Sequence, residues 1–267
     1  MSETIAVPRP ALWQSLLEIR ALMEVMSILP ARPLLNLAPS GDGHPVLVFP
    51  GFFAADRSTA RIRKYLNSKG FEAYAWEQGR NPGISMELYT RLEERVLELS
   101  RHHGRAVSLV GWSLGGIYAR LLAHRIPRHV RQVVTLGSPF KISEYGAITG
   151  AVAQLYERMN PNQQDDPMLQ HESTWASAPP VPSTSIYSLG DGVAHWSFCL
   201  DIEDETTENL HVPSSHLGMT HNPLVMYAVA DRLAQPEGQW RPFRWVPHLK
   251  STLRRALRPR LALSRSK

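Results

Sequence analysis

Ser113 is the residue of this chain whose surroundings best fit a chemical role. It lies between Gly111 and Gly115, where a β-type run that ends at Val110 gives way to a helical run. A very tight strand-to-helix turn pushes a serine hydroxyl clear of the backbone and within reach of a carbonyl group. Glycines at the flanking positions let the strand and the helix pass closely enough for that turn. The pattern therefore predicts a nucleophilic serine.

Asp191 and His216 are the residues that we expect to activate Ser113. A serine hydroxyl is a poor nucleophile unless an imidazole takes its proton and a carboxylate orients that imidazole. On a sheet of this kind the three groups follow the chain order serine, acid, histidine. Asp191 comes directly after a predicted strand, Thr184 to Leu189, and His216 follows the last predicted strand, Asn209 to Val212.

Other acids and histidines compete for these two roles. They are Asp201, Glu203, Asp204, Glu205, His195, His211 and His221. The acidic run at residues 201–205 is more typical of a solvated loop. His195 is too close in sequence to Asp191 to reach between that acid and Ser113. Histidines that recur every five residues around Pro213 match no usual metal motif, so we expect no metal and no cofactor.

The oxyanion of a tetrahedral intermediate needs fixed hydrogen-bond donors. We expect one donor to be the backbone N–H of Leu114, directly after the serine. The other is expected from the turn after the first predicted strand, where Pro50 and Gly51 place the backbone N–H of Phe52 toward the site. An ordinary Pro-Gly turn is the alternative interpretation.

Strand-like and helix-like segments alternate from residue 46 onward. This alternation predicts an α/β fold with a mostly parallel central sheet and helices on both faces. We divide the chain into an N-terminal helix and linker (1–43), a catalytic domain (44–240) and a basic tail (241–267). A helix is predicted from Asp56 or Ser58, either of which could cap it, to Lys69.

Residues 140–182 form a long stretch between two predicted strands, with a helix-like centre at Ile148 to Arg158. Such a stretch is either a functional lid or a flexible insert. We expect a helical cap over the site. Its apolar side chains would come from Tyr145, Ile148, Val152, Leu155, Tyr156 and Met159.

Both ends of the chain raise the question of membrane contact. The apolar run Leu12 to Ile28 predicts an amphipathic helix that either packs on the domain or rests on a membrane. Its pattern indicates neither a signal peptide nor a membrane-spanning helix. The net charge is +5, yet residues 241–267 hold nine basic and no acidic residues, which leaves the remainder at −4. This tail could bind an anionic lipid surface or be a solvated, partly disordered end. Nucleic acid is not an expected partner.

The single cysteine, Cys199, excludes an internal disulfide and fits a reducing compartment. We therefore expect a cytoplasmic protein, either free or in peripheral contact with a membrane through its basic tail. Nothing in the sequence indicates an oligomeric state.

Five segments together resemble the α/β-hydrolase superfamily, and within it bacterial lipases and esterases. They are VLVFPGF, GWSLGG, TLGSPF, DGVAHW and SHLGMTHNP. The resemblance implies Ser113 as nucleophile, Asp191 as acid, His216 as base, and Phe52 with Leu114 as oxyanion donors. It implies cleavage of carboxylic esters with acyl or lipid-like groups through an acyl-serine. The alternatives are acyl transfer from the same intermediate and a non-catalytic lipid-associated or membrane-associated protein on this fold.

Overall fold

The computed structural model describes residues 12–141, 150–160 and 171–244, together with Pro10 and Pro167. Its framework is a six-stranded sheet in which every pair of neighbouring strands is parallel. The spatial order is β2-β1-β3-β4-β5-β6. The strands are β1 (Pro45–Phe49), β2 (Glu72–Ala75), β3 (Val107–Trp112), β4 (Val130–Leu136), β5 (Ser183–Tyr187) and β6 (Thr207–His211). The predicted α/β class with a parallel central sheet is confirmed.

The helices alternate with these strands along most of the chain. They are α1 (Leu12–Leu16), α2 (Arg20–Ser27), α3 (Arg32–Asn36), α4 (Asp56–Ser68), α5 (Met86–His103), α6 (Leu114–Arg125), α7 (Gly150–Met159), α8 (Glu172–Ala176) and α9 (Pro223–Leu233). Short 3-10 helices cover Leu17–Ile19, Pro127–His129 and Trp196–Cys199. In α5, the Ser85 side chain accepts a hydrogen bond from Leu88 N, and the helix ends at Gly104 with φ 61°.

Two hydrophobic clusters, one on each face of the sheet, form the core. Strand β1 alternates between them, because successive side chains of a strand point to opposite faces. Val46 and Val48 belong to the cluster with α4 and α9, and Leu47 and Phe49 to the cluster with α5 and α6. With both faces covered, the carboxyl ends of the parallel strands are the edge at which loops can build a site.

The predicted cap of α4 is wrong. The residue before the helix is Ala55, and no side chain caps it. The Asp56 carboxylate accepts a hydrogen bond from Trp76 N at 3.1 Å, and the Ser58 hydroxyl donates to Ala55 O at 2.8 Å. Asp56 is therefore engaged by the chain that leaves β2, a tertiary contact that outweighs the local preference for capping.

The amphipathic helix predicted at Leu12 to Ile28 is present as α1, a 3-10 turn and α2. We call residues 12–29 the N-terminal segment. It packs on the domain through polar side chains and through Ile28, whereas seven of its large apolar side chains are exposed. In the described part of the chain, no helix has both the length and the apolar composition needed to cross a membrane.

The predicted cap and tail lie partly outside the described residues. Tyr145 and Ile148 are among the residues not described, as is the tail from residue 245 onward. Helix α7 lies beside the loop between β2 and α5, since its Tyr156 hydroxyl accepts a hydrogen bond from Ile84 N at 3.1 Å. A cap over the site and a membrane-binding tail stay predictions.

Candidate active site

Ser113 occupies the sharp turn between β3 and α6. Its backbone has φ 53° and ψ −125°, a conformation that residues other than glycine rarely adopt. A Cβ added to Gly111 would overlap Gly116 Cα, and one added to Gly115 would lie 2.6 Å from Phe49 O. The two flanking glycines are therefore required for the close passage of strand and helix. The expected tight turn at Ser113 is present.

A chain of two hydrogen bonds joins the three side chains singled out in the sequence. His216 Nε2 lies 3.0 Å from Ser113 Oγ, and His216 Nδ1 lies 2.7 Å from Asp191 Oδ2. Asp191 and His216 are each only 3% exposed. When the carboxylate accepts the Nδ1 proton, the Nε2 lone pair faces the serine hydroxyl, as proton transfer from serine requires.

The Asp191 carboxylate is held by the turn that follows β5. Its Oδ1 accepts hydrogen bonds from Val193 N at 2.9 Å and Ala194 N at 2.8 Å, which leaves Oδ2 for His216. Among the competing residues, Asp201 is paired with Arg120, and His195 Nδ1 lies 2.8 Å from Ser197 Oγ. These competitors are thus engaged elsewhere.

The main chain of His216 is held by a hydrogen bond from Trp112, and the surrounding charges favour the protonated form of its imidazole. The indole Nε1 of Trp112 donates to His216 O at 3.0 Å. Burial alone lowers the pKa of His216, but the charge and hydrogen bond of Asp191, with the charge of Glu18, outweigh it and raise the pKa above its ordinary value. The same two carboxylates stabilise the protonated form of this imidazole.

The loop after β1, where the sequence predicts an oxyanion donor, lies against the serine. A Cβ on Gly51 would be 3.1 Å from Ser113 Cβ. Within the described residues, the backbone N–H groups of Phe52 and Leu114 donate to no protein acceptor. Leu114 is the first residue of α6, where N–H groups have no partner inside the helix. Both groups are thus free to donate to a bound oxyanion.

Asn81 is a fully buried residue that sequence reasoning missed. Its Nδ2 donates to Pro50 O at 2.9 Å, its N donates to Ala54 O, and its O accepts from Phe53 N, both at 2.8 Å. These bonds brace the loop of Phe52, whose neighbour Phe53 has φ 58°. The only local signal is the dipeptide Asn81-Pro82, which indicates a turn and gives no partner.

Glu18 is the second residue that sequence reasoning missed, and it lies in the N-terminal segment. Its Oε1 accepts hydrogen bonds from Gly192 N at 2.8 Å and His216 N at 2.9 Å, and its Oε2 accepts from Leu217 N at 2.9 Å. Glu18 as a whole residue is only 9% exposed. One buried acid thus contacts both the loop of Asp191 and the loop of His216.

Further polar contacts join the N-terminal segment to the same two loops. Glu24 accepts from Ser215 N at 2.7 Å and from Ser214 Oγ at 2.9 Å. Arg20 Nη2 donates to Gly190 O at 2.7 Å, and Ser15 Oγ donates to Gly192 O at 2.8 Å. The sequence shows these residues only as the polar face of a helix, because a main-chain partner leaves no signature in residue identity.

Comparisons with known proteins agree with this architecture. The family model of the PGAP1-like alpha/beta domain matches residues 84–207, just under half of the chain. The mouse protein "Serine hydrolase BPHL" is 30% identical over 115 residues, which span 39% of this chain and 39% of the mouse protein. The matched part of the chain is therefore well under half the length of that curated relative.

Solved structures extend the likeness to about three quarters of the chain. Lipase B of Aspergillus fumigatus superposes with a TM-score of 0.54 and 17% identity, covering 75% of this chain and 56% of that one. The monoacylglycerol lipase of Paleococcus ferrophilus superposes with a TM-score of 0.51 and 13% identity, covering 72% and 96%. Identities this low establish the fold alone, and the bacterial part of the sequence prediction stays a prediction. The chain has the α/β-hydrolase fold, and the predicted resemblance to that superfamily is confirmed at the level of the fold.

Proposed function

We propose that this chain is a serine hydrolase that cleaves carboxylic esters with an apolar acyl group. The observation that carries the proposal is the hydrogen-bonded chain from Asp191 through His216 to Ser113. Each distance falls in the range expected between an acid, a base and the nucleophile that they activate. The lipase and serine hydrolase names of the similar proteins point to the same reaction class.

In the first half of the proposed reaction, Ser113 Oγ attacks the ester carbonyl carbon while His216 Nε2 takes the hydroxyl proton. The carbonyl oxygen gains the negative charge and accepts hydrogen bonds from Phe52 N and Leu114 N. Asp191 stabilises the imidazolium. Collapse of the tetrahedral intermediate breaks the bond to the alcohol oxygen, and His216 returns its proton to that oxygen, leaving acyl-Ser113.

In the second half, water takes the place of the alcohol. His216 Nε2 removes a proton from the water as its oxygen attacks the acyl carbon, and the same two N–H groups hold the oxyanion. The bond to Ser113 Oγ then breaks, and His216 gives the proton back to the serine. The net reaction consumes one ester and one water and yields one acid and one alcohol.

An apolar acyl group is proposed because aromatic and aliphatic side chains lie on the loops that carry the proposed oxyanion donor, the acid and the base. The Phe52 ring packs on Tyr156 of α7 with 4.8 Å between ring centroids. Leu189 and Leu217, on the loops of the acid and the base, are about half exposed. Such surroundings favour hydrocarbon over sugar or phosphate.

The test is active-site labelling combined with turnover of a soluble p-nitrophenyl ester. The wild-type chain should react with a fluorophosphonate probe at Ser113. Ser113→Ala should abolish labelling and lower kcat by several orders of magnitude, because members of such a triad fail as a unit. Ser68→Ala, at the end of α4, is the matched control and should behave as wild type. Full activity in Ser113→Ala would refute the proposal.

Acyl transfer uses the same acyl-enzyme and differs only in the acceptor. Adding short-chain alcohols during turnover and measuring the ratio of new ester to free acid distinguishes the two outcomes. Release of free acid as the main product at low alcohol concentration is the result expected for a hydrolase.

A further inference from the structure

The buried carboxylate of Glu18 lies where the two catalytic loops approach each other. We propose that Glu18 is a positioning residue of this active site, which holds the loop of Asp191 and the loop of His216 in fixed relation to each other. The inference rests on the proposed function, because it concerns the same reaction.

The geometry is specific to this contact. A single oxygen, Glu18 Oε1, accepts hydrogen bonds from Gly192 N and from His216 N and so links the two loops directly. A Cβ on Gly192 would overlap the main-chain oxygen of Gln14, so the segment packs on the acid loop at a distance only glycine allows. Hydrogen bonds to a charged acceptor are about twice as strong as neutral ones, and here three share one carboxylate.

Four charged side chains lie around the loops of His216 and Asp191. Asp191 contacts the ring of His216, Glu18 contacts its main chain, Glu24 contacts the preceding serines, and Arg20 contacts the acid loop. Besides Asp191, Glu18 is the residue whose charge raises the pKa of His216. Glu24 holds the same loop without a comparable influence on that pKa, which makes it a matched control.

The experiment measures kcat/KM for the soluble ester from pH 5 to 9 in the full chain. Glu18→Gln should lower kcat/KM by about tenfold or more, because the amide cannot accept from all three N–H groups. It should also move the acid limb of the profile to lower pH, since a neutral side chain no longer favours the imidazolium. Glu24→Gln should lower kcat/KM and leave the acid limb where it is in the wild type.

Several results would overturn the proposal. One is a pH profile of kcat/KM for Glu18→Gln that matches the wild type in both height and position. Another is a shift of the acid limb in Glu24→Gln that equals the shift in Glu18→Gln. Glu18→Asp keeps the charge on a shorter side chain, so it should lower kcat/KM with no shift of the limb. An unchanged kcat/KM in Glu18→Asp refutes the role even if Glu18→Gln does not fold. An active Ser113→Ala instead refutes the proposed function itself.

The outer face of the N-terminal segment provides an independent observation. Fourteen large hydrophobic side chains are exposed in the described part of the chain, and half of them lie in this short segment. They are Trp13, Leu16, Ile19, Leu22, Met23, Met26 and Leu29. Their spacing places them along one face of the N-terminal segment, opposite the carboxylates that hold the loops.

We infer that this apolar face docks on an anionic lipid surface. Both acids of the segment, Glu18 and Glu24, turn inward to the loops, so the outer face carries no negative charge. Exposed cations flank it: Arg32 follows the segment, and Arg61 Nη1 lies 3.5 Å from Val25 O. An apolar helical face bordered by arginines suits the boundary of headgroups and acyl chains.

The position of this face relative to the site supports the same partner. The inner face of the segment binds Leu189 O through Gln14 Nε2 and Leu217 N through Glu18 Oε2. Both leucines are about half exposed, beside the acid and the base. A lipid surface against the outer face of the segment would therefore be separated from the loops of Asp191 and His216 by this one segment.

Vesicle flotation tests this second inference separately from catalysis. The protein used is Ser113→Ala, so that no lipid is cleaved, with vesicles of phosphatidylcholine alone or mixed with phosphatidylglycerol. The protein should float with the mixed vesicles, and a further Ile19→Ser/Leu22→Ser/Met23→Ser change should reduce the bound fraction by about tenfold or more. Ile202→Ser is the matched control, because Ile202 is 77% exposed, as Ile19 is.

Three outcomes refute lipid docking by this face. The first is no flotation of the parent protein, and the second is equal flotation of the triple-serine variant, which would assign binding to another part of the chain. The third is a parent protein that is dimeric by light scattering and becomes monomeric in the variant without binding vesicles, which would assign the face to a second copy.

Discussion

Replacing Arg120 by methionine is expected to destabilise the fold by about 3–5 kcal/mol. Arg120 lies on α6, the helix that begins directly after Ser113, and its side chain is fully buried. Its guanidinium bonds Asp201 at 2.6 Å and the main-chain oxygens of Trp175 and Ser177, both at 2.5 Å. One side chain therefore ties α6 to α8 and to the stretch before β6.

The magnitude follows from what the substitution leaves behind. The Asp201 side chain is 2% exposed, so its carboxylate would stay buried without a counter-charge. Removing one partner of such a pair costs about 3–5 kcal/mol, whereas a domain has only about 5–15 kcal/mol of stability. Methionine fills much of the space beside the Phe140 ring, which lies 3.7 Å from Arg120 Cζ, so lost volume contributes little.

Urea unfolding followed by tryptophan fluorescence measures this cost. The matched control is Arg91→Met, which removes an exposed ion pair with Glu87 and should cost less than about 1 kcal/mol. Adding Asp201→Asn to Arg120→Met should recover at least about 1 kcal/mol, because the stranded charge is removed. If Arg120→Met costs no more than Arg91→Met, or if the double variant recovers nothing, the reasoning is refuted.

Four further outcomes are expected. Because the pKa of His216 is raised and only the neutral imidazole accepts the serine proton, ester turnover should increase with pH through a midpoint above about 6.5, and a flat rate from pH 5 to 8 would contradict this. Gly115→Ala should lower kcat by about a hundredfold or more in steady-state assays, because its Cβ would lie 2.6 Å from a main-chain oxygen of β1 and displace the turn. Asn81→Ala should lower kcat about tenfold with KM nearly unchanged, since it frees the loop that holds the oxyanion donor; a change in KM alone would refute that role. Burial lowers the pKa of His44 to about 4, although Asp42 opposes the shift, so the unfolded chain binds a proton that the folded chain does not. The contribution of His44 should therefore make unfolding easier as pH falls from about 6.5 to 4, by up to about 3 kcal/mol, and His44→Gln should lose that pH dependence in urea titrations.

Features that depend on neighbouring residues were predictable from the sequence. The elbow at Ser113 follows from two glycines between an apolar strand and a helix. The parallel sheet follows from alternating strands and helices, and it brings the loops after β5 and β6 to the same edge as the elbow. Because these loops share one edge, Asp191 and His216 could be predicted from the sequence as partners of Ser113. The structure places the three side chains in one hydrogen-bonded chain.

The partners of Asp56, Asn81 and Glu18 could not be predicted in this way. Each binds main-chain groups of a distant segment, and those groups are the same in every residue type. The capping preference of Asp56 is worth about 1 kcal/mol, so a tertiary contact can override it.

The sequence by itself determined the order of the elements, the turn that presents Ser113, and the order in which acid and base follow it, because these depend on short-range patterns and on the geometry of a parallel sheet. Only the tertiary structure decided which side of the N-terminal segment faces inward. The buried N–H groups of the loops that carry Asp191 and His216 need acceptors, and Glu18 and Glu24 supply them. The need to pair these buried N–H groups decides the orientation of the segment, and its apolar side is left exposed. The periodicity of the sequence does not reveal that need.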